Sequence, residues 1–132
     1  MKRLVVVLAL LLVGTLGGCT SNHDDLTDIV TRGPWRVSNF IETGDEHTSL
    51  FHGYVFTFKT DGTVSVTRPG LPVAPGTWDE HNNNTRFDLD FGAAGLLEKL
   101  NEDWVVGDVT DDQLNLHEIA APFNQVEFSR IY

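Results

Sequence analysis

From residue 54 onward, apolar and polar residues alternate in short stretches, and this alternation is the feature that most constrains the fold. A period of two places alternate side chains on opposite faces of a β-strand. The clearest stretches are Tyr54–Lys59 and Thr85–Phe91. Turn residues interrupt them at short intervals, which indicates an antiparallel all-β meander rather than alternating strands and helices. The aromatic side chains that share the apolar faces are Tyr54, Phe56, Phe58, Phe87 and Phe91.

Eight strands are predicted on this basis, together with short helical segments at Leu26–Thr31 and Leu96–Asn101. Asp61-Gly62 predicts a two-residue hairpin in which both positions have positive φ. Pro69–Gly76 holds three prolines and two glycines and is predicted to be a loop, as is Thr43–Ser49. The strands are Trp35–Glu42, Tyr54–Lys59, Thr63–Arg68, Thr77–Glu80, Thr85–Phe91, Trp104–Val109, Leu114–Ile119 and Phe123–Tyr132.

The strand order raises the question of how the two outer strands are protected. An up-and-down sheet leaves two unpaired edges, and closure into a barrel removes both. The predicted fold is therefore an all-β, eight-stranded antiparallel up-and-down barrel. Eight strands enclose a space that side chains can fill or that one small ligand can occupy.

The first 19 residues predict export and lipidation. Lys2 and Arg3 precede an apolar run, Leu4–Val13, which is too short to span a bilayer and has the length of a signal-peptide core. Leu16-Gly17-Gly18-Cys19 resembles the bacterial lipobox, which implies cleavage before Cys19 and acylation of its thiol. The predicted organisation is a signal peptide at 1–18, a lipidated tether with a short helix at 19–32, and a barrel domain at 33–132.

Charge and cysteine content restrict the partners and the location. Cys19 is the only cysteine, so the barrel must be stabilised by packing rather than by disulfides. Without Lys2 and Arg3 the chain carries seven basic and nineteen acidic residues, a net charge of −12, which disfavours nucleic-acid binding. The residue after Cys19 is Thr20 rather than aspartate, which predicts an outer-membrane lipoprotein. Asp24-Asp25 resembles a short acidic surface-export signal of Bacteroidota, or is a solvated tether.

Gly33-Pro34-Trp35 at the start of the first strand resembles the Gly-x-Trp signature of lipocalins and related calycins. In those barrels the tryptophan closes one end and an arginine of the last strand covers it, which implies that Trp35 and Arg130 are the barrel-closing pair. The chain is shorter than true lipocalins and lacks their C-terminal helix and disulfide.

A longer pattern resembles the small lipocalin-like lipoproteins of Bacteroidota, a family without an established activity. The resemblance implies the barrel fold and the membrane location and leaves the ligand open. The matching segments are Tyr54-Val55-Phe56-Thr57-Phe58, Asp61-Gly62-Thr63-Val64, Gly76-Thr77-Trp78, Phe87-Asp88-Leu89-Asp90-Phe91, Leu97, Leu100, Asp103-Trp104 and Asp111-Asp112-Gln113-Leu114.

Few residues suggest catalysis or metal binding. His47 and His52 flank a loop segment whose spacing suits no helical metal pair, and exposed loop histidines explain them better than zinc ligands do. His117, a conceivable haem ligand, falls on the polar face of its strand. Asp88 and Asp90 are spaced like a glycosidase pair, but both fall on one solvated face. No nucleophile or phosphate-binding motif is present, so we predict a protein that is not an enzyme and needs no cofactor or metal.

Two hypotheses about function follow, and we favour the first, because the loops Pro69–Gly76 and Thr43–Ser49 offer adaptable rims for a pocket. In the first, Tyr54, Phe56, Phe58, Phe87 and Phe91 line a cavity for a small apolar or glycan-like ligand. In the second, these side chains fill the interior, and the protein is an envelope or cell-surface component that binds partner proteins through its loops. A packed interior would exclude the first hypothesis, and a cavity of about 300 Å³ or more would favour it.

Overall fold

The computed structural model describes residues 25–120 and 123–132. These residues form the α-helix α1 (Leu26–Val30) and two 3-10 helices, Thr48–Phe51 and Gly95–Leu100. The predicted helical segments are thus present, the second as a 3-10 helix. The strands are β1 (Trp35–Glu42), β2 (Asp45–Glu46), β3 (Val55–Phe58), β4 (Thr63–Arg68), β5 (Leu71–His81), β6 (Arg86–Asp90), β7 (Glu102–Val109), β8 (Gln113–His117) and β9 (Gln125–Arg130).

The strands close into a barrel through the pairing of the first strand with the last. β1 and β9 are antiparallel over a register that runs from Trp35↔Arg130 to Ile41↔Gln125, and β1 also meets β3 at Trp35↔Phe56. β2 pairs only with the end of β1. The remaining eight strands form a closed antiparallel barrel, which confirms the predicted fold class.

The prediction that Pro69–Gly76 is a loop is wrong, because β5 begins at Leu71 and pairs with β4 through Arg68↔Leu71 and Thr67↔Pro72. This part of β5 lies beyond its pairing with β6, which begins at Thr77↔Asp90. A proline is tolerated on a strand edge that has no second partner. The β4–β5 register also shifts between Val64 and Val66. This shift is a β-bulge, which accommodates the proline- and glycine-containing part of β5.

The predicted two-residue turn at Asp61-Gly62 is wrong in its length. Lys59 N–H donates to the Thr63 carbonyl, and Gly62 N–H donates to the Lys59 carbonyl. Within this turn only Gly62 has positive φ, at +84°. The connection is therefore a three-residue loop with glycine in the left-handed position, the next commonest hairpin geometry.

Connections alternate between the two ends of the barrel. α1 precedes β1 and lies at one end, together with the β3–β4, β5–β6 and β7–β8 turns; we call this the α1 end. Of the described residues, 43–54, 69–71, 91–101, 118–120 and 123–124 lie at the opposite end, which we call the rim. Leu26, Ile29 and Val30 of α1 are buried against the core. No helix among the described residues is long and apolar enough to cross a membrane.

Candidate functional site

The predicted ligand-binding aromatics lie inside the barrel. Phe56, Phe58, Phe87 and Phe91 are buried, and Tyr54 is partly buried and packs against the core. The Phe58 ring centroid lies 5.6 Å from that of Phe87 and 5.9 Å from that of Phe128. Because β3, β6 and β9 are not neighbours in the wall, these rings meet across the interior.

Tryptophans extend this aromatic cluster. Trp78 stacks on Phe87 with a centroid distance of 5.5 Å and an interplanar angle of 20°, and its Nε1–H donates to the Lys59 carbonyl at 2.9 Å. Trp104 Nε1–H donates to the Leu100 carbonyl at 3.0 Å. The buried indoles therefore have their polar groups satisfied, as packing in a core requires.

Trp35 and Arg130 come together at the α1 end. The guanidinium carbon of Arg130 lies 4.1 Å from the centroid of the Trp35 ring, and Trp35 Nε1–H donates to the Val30 carbonyl at 2.8 Å. Arg130 also donates from Nη2 to the Ile29 carbonyl and from Nε to the Asp111 carbonyl, both at 2.6 Å. The arginine thereby binds the C-terminal turn of α1, where a positive charge is favourable.

The rim is covered by the two 3-10 helices. Phe51 of the first is buried, and its ring centroid lies 5.1 Å from that of Phe40 in β1. Leu97 and Leu100 of the second are also buried. Lys99 Nζ contacts Glu42 Oε1 at 2.7 Å and connects the second helix to the end of β1. Side chains therefore cover both ends of the barrel.

A depression on the outer wall was not predicted from the sequence. It has a volume of about 280 Å³ and lies over β1, β7, β8 and β9; we call it the outer pocket. The inward residues Leu114, Leu116, Val126 and Phe128 define the core face of β8 and β9. The alternate residues, which face the outer pocket, are polar. The pocket is lined by Asn39, Gly107, Asp108, Asn115, Leu116, His117, Gln125, Val126 and Glu127.

Two β-bulges flank the centre of the outer pocket. Asn115 and Glu127 are directly opposite each other in the β8–β9 register. On one side, β7 shifts register between Val106 and Val109, where Gly107 and Asp108 lie. On the other side, β1 shifts register between Val37 and Asn39. Bulges change strand curvature and occur often beside functional sites. Gly107 and the alternating polar residues of β8 and β9 are the sequence signals for this pocket. The two bulges that shape it cannot be predicted from the sequence.

Glu127 and Asn115, at the centre of the outer pocket, differ in their hydrogen bonding. Glu127 Oε1 accepts a hydrogen bond from Ser38 Oγ at 3.0 Å, and Ser129 Oγ donates to Ser38 Oγ at 2.7 Å. Asn115 Oδ1 is shielded from solvent and accepts no hydrogen bond from the described residues. An unsatisfied buried acceptor costs about 1–3 kcal/mol, so a water or ligand hydroxyl that donates to this oxygen would stabilise the pocket.

A second polar cluster covers the outer face of β5, β6 and β7. Asp79, Asp88 and Asp103 are opposite one another across these strands. Asp103 binds His81 at 3.0 Å and Arg86 at 2.8 Å. Desolvation, and then the charge of Asp103, raise the pKa of the Asp88 carboxyl. No three acidic, histidine or cysteine side chains of the described residues are grouped so that they could hold a metal.

The candidate catalytic and metal residues are dispersed. Asp88 and Asp90 are both exposed on the outer face of β6, as alternation predicts. His117 faces outward into the outer pocket, where its ring lies 6.5 Å from that of Phe123. The predicted signal peptide, Cys19 and residues 20–24 of the tether lie outside the described residues.

Comparison with known proteins finds a similar fold in a protein from Bacteroides. No protein-family description matches the chain, and no curated protein matches its sequence. A crystal structure of a DUF4847 family protein from Bacteroides vulgatus ATCC 8482 is similar, with a TM-score of 0.58 and 17% sequence identity, over 77% of this chain and 94% of that one. At that identity the similarity shows the fold alone: the chain shares the barrel of a DUF4847 family protein.

Proposed function

We propose that the protein is a lipid-anchored, non-catalytic envelope barrel of the lipocalin-like type, with a structural interior and external binding surfaces. The contact of Phe58 with Phe87 and Phe128 across the interior is the observation that carries this proposal. An interior site for an apolar or glycan-like ligand would require these rings to move apart. The stacking of Arg130 on Trp35 supports the lipocalin-like assignment.

The rim is the proposed surface for a partner protein. The exposed large apolar side chains at the rim are Leu50, Leu71, Ile119 and Phe123, with exposed fractions of 42%, 63%, 64% and 47%. All four belong to the same end of the barrel, and exposed apolar surface of this kind is typical of interaction sites. A lipid on Cys19 would hold the α1 end near the membrane, because α1 follows the tether directly. The rim would then face away from the membrane, towards an envelope protein.

A photo-crosslinking amino acid tests this orientation in the native host. Placed at Leu50, it should form a discrete adduct with one envelope protein, and Phe123→Asp should abolish that adduct. The same amino acid at Asp61, which is exposed at the α1 end, is the matched control and should not form it. Equal adducts from both positions, or an adduct that persists in Phe123→Asp, would exclude the rim as the partner surface.

A further inference from the structure

We infer that the outer pocket binds a neutral saccharide. This inference depends on the proposed function only in placing recognition outside the barrel, and it does not require the rim to bind a partner. The outer pocket has a volume of about 280 Å³, which is close to the lower limit for small-ligand sites. A ligand of one or two sugar rings is of the appropriate size.

The local backbone produces this pocket by two departures from regular pairing. Gly107 lies in the β7 bulge opposite Asn115, and the β1 bulge lies beside Glu127 on the other side. A Cβ atom at Gly107 would lie 3.3 Å from the Asn115 carbonyl oxygen and 3.6 Å from His117 Nδ1. A side chain at this position would therefore project beside the two polar residues. Its absence leaves the pocket open above them.

The hydrogen-bonding groups of the pocket require a ligand that both donates and accepts. The side-chain amides of Asn115 and Gln125 each carry two donors and an acceptor. Asn39 offers its two donors, because its Oδ1 already accepts from Thr48 Oγ1 at 3.5 Å. Asp108 and Glu127 only accept when ionised. A hydroxyl group both donates and accepts, so a polyhydroxylated ligand can satisfy this mixture. The χ2 torsion of Asn115 is soft, so its amide can turn to present the unpartnered Oδ1 to a ligand hydroxyl.

Charge favours a neutral ligand over an anionic one. The lining residues include Asp108 and Glu127 and no lysine or arginine. A phosphate, sulfate or sialic acid group would be repelled by these carboxylates and would find no bidentate basic partner. A polyamine would satisfy the carboxylates but leave the amide N–H donors without acceptors. Neutral saccharide hydroxyls satisfy both sets.

An aromatic group borders the polar site on the rim side. Phe123 is 47% exposed, and its ring packs edge-on against His117 at a centroid distance of 6.5 Å and an angle of 80°. Saccharide rings have an apolar C–H face beside their hydroxyls. Phe123 can cover that face while the amides and carboxylates bind the hydroxyls, which is the arrangement of apolar wall and convergent polar groups typical of ligand sites.

Binding can be tested with the mature lipidated protein in detergent on an array of neutral oligosaccharides. Sialylated and sulfated oligosaccharides and spermidine are the comparison probes. We expect binding of a neutral oligosaccharide at millimolar concentration or below. Asn115→Ala should weaken its affinity by about five- to tenfold, because a hydrogen-bonding amide is lost. Gln113→Ala is the matched control on the same strand and outer face and should leave the affinity within about twofold.

Gln125→Ala is a second variant at an exposed position and should also weaken binding if Asn115→Ala does not fold. Binding of only the anionic probes or only spermidine would overturn the proposal, as would the absence of binding to any neutral oligosaccharide. Equal affinity of the wild type and both pocket variants would overturn it too. The crosslink from Leu50 is measured separately, so failure of the saccharide site is distinguishable from failure of the rim.

Discussion

Arg130 shows at the scale of one residue how the last strand is held to α1 and the first strand. Its guanidinium contacts the Trp35 ring, and its N–H groups bind the Ile29 and Asp111 carbonyls. We expect Arg130→Ala to lower the free energy of unfolding by about 0.5–2 kcal/mol, from the lost cation–π contact and side-chain packing. Urea unfolding measures this loss.

Arg130→Lys is the informative companion variant for that measurement. Lysine keeps the charge but cannot bind both carbonyls with a planar fork while stacking on the indole. Arg130→Lys should therefore remain less stable than the wild type. Full stability in this variant would show that charge alone, rather than the stacked geometry, fastens α1 to the barrel.

The lipid anchor is a second prediction about a single residue. Acylation requires the thiol of Cys19, so Cys19→Ser should abolish palmitate incorporation and shift the protein from the detergent phase to the aqueous phase. Cys19→Ser leaves the described barrel residues unchanged, so its unfolding midpoint in detergent is the control for folding. Continued labelling of this variant would rule out the lipoprotein assignment.

Asp88 provides a prediction about pH. Its pKa is raised by desolvation and by the neighbouring Asp103, so the folded protein binds this proton more tightly than the unfolded chain does. The contribution of Asp88 to stability is fully present below its unfolded pKa and is lost as pH rises through the folded value. Asp88→Asn should therefore stabilise the protein at pH 7 and lose this advantage in acid.

The expected gain for Asp88→Asn is a few tenths of a kcal/mol, because solvent screens an exposed carboxylate. Thermal unfolding of both proteins between the acid range and neutrality measures it. Asp45→Asn removes an exposed charge outside the Asp79–Asp88–Asp103 row and controls for net charge. A loss of stability at pH 7 in Asp88→Asn would contradict the predicted repulsion.

At the scale of elements, the sequence predicts β3 and β6 but not the start of β5. The alternation around Phe87 and Phe56 predicted β6 and β3 closely, since a half-buried strand has a clear period of two. The sequence does not predict the start of β5, because the three prolines and two glycines of Pro69–Gly76 are typical of loops. Only the tertiary arrangement, in which this part of β5 pairs on one side, makes a strand possible there.

Gly76 lies in β5 where the strand approaches the Phe91 ring. A Cβ atom there would lie 2.7 Å from Phe91 Cε1 and 2.8 Å from the Asp90 carbonyl oxygen. We expect Gly76→Ala to destabilise by about 1–3 kcal/mol through overpacking, measured by urea unfolding. Gly33→Ala, whose nearest contact would be at 3.4 Å, is the control and should cost less. Equal losses would contradict a tight packing of β5 on Phe91.

At the scale of the whole molecule, closure could be predicted and the outer pocket could not. Closure follows from the number and order of strands, because an open sheet would expose two edges. The outer pocket depends on two bulges in β1 and β7, which change the register by one residue each. The interior is either a ligand cavity or a packed core, depending on how side chains from separate strands meet. Periodicity alone does not predict these contacts.

The central claim is that the barrel interior is a packed core, and Phe58→Ala tests it most directly. Urea unfolding should show a loss of about 3–5 kcal/mol, the usual cost of removing a buried aromatic side chain, and wild-type protein should bind no apolar fluorescent probe. Phe123→Ala, at an exposed position, should cost no more than about 0.5 kcal/mol. A loss below about 1 kcal/mol in Phe58→Ala, with stoichiometric probe binding by the wild type, would contradict the account and indicate an interior ligand cavity.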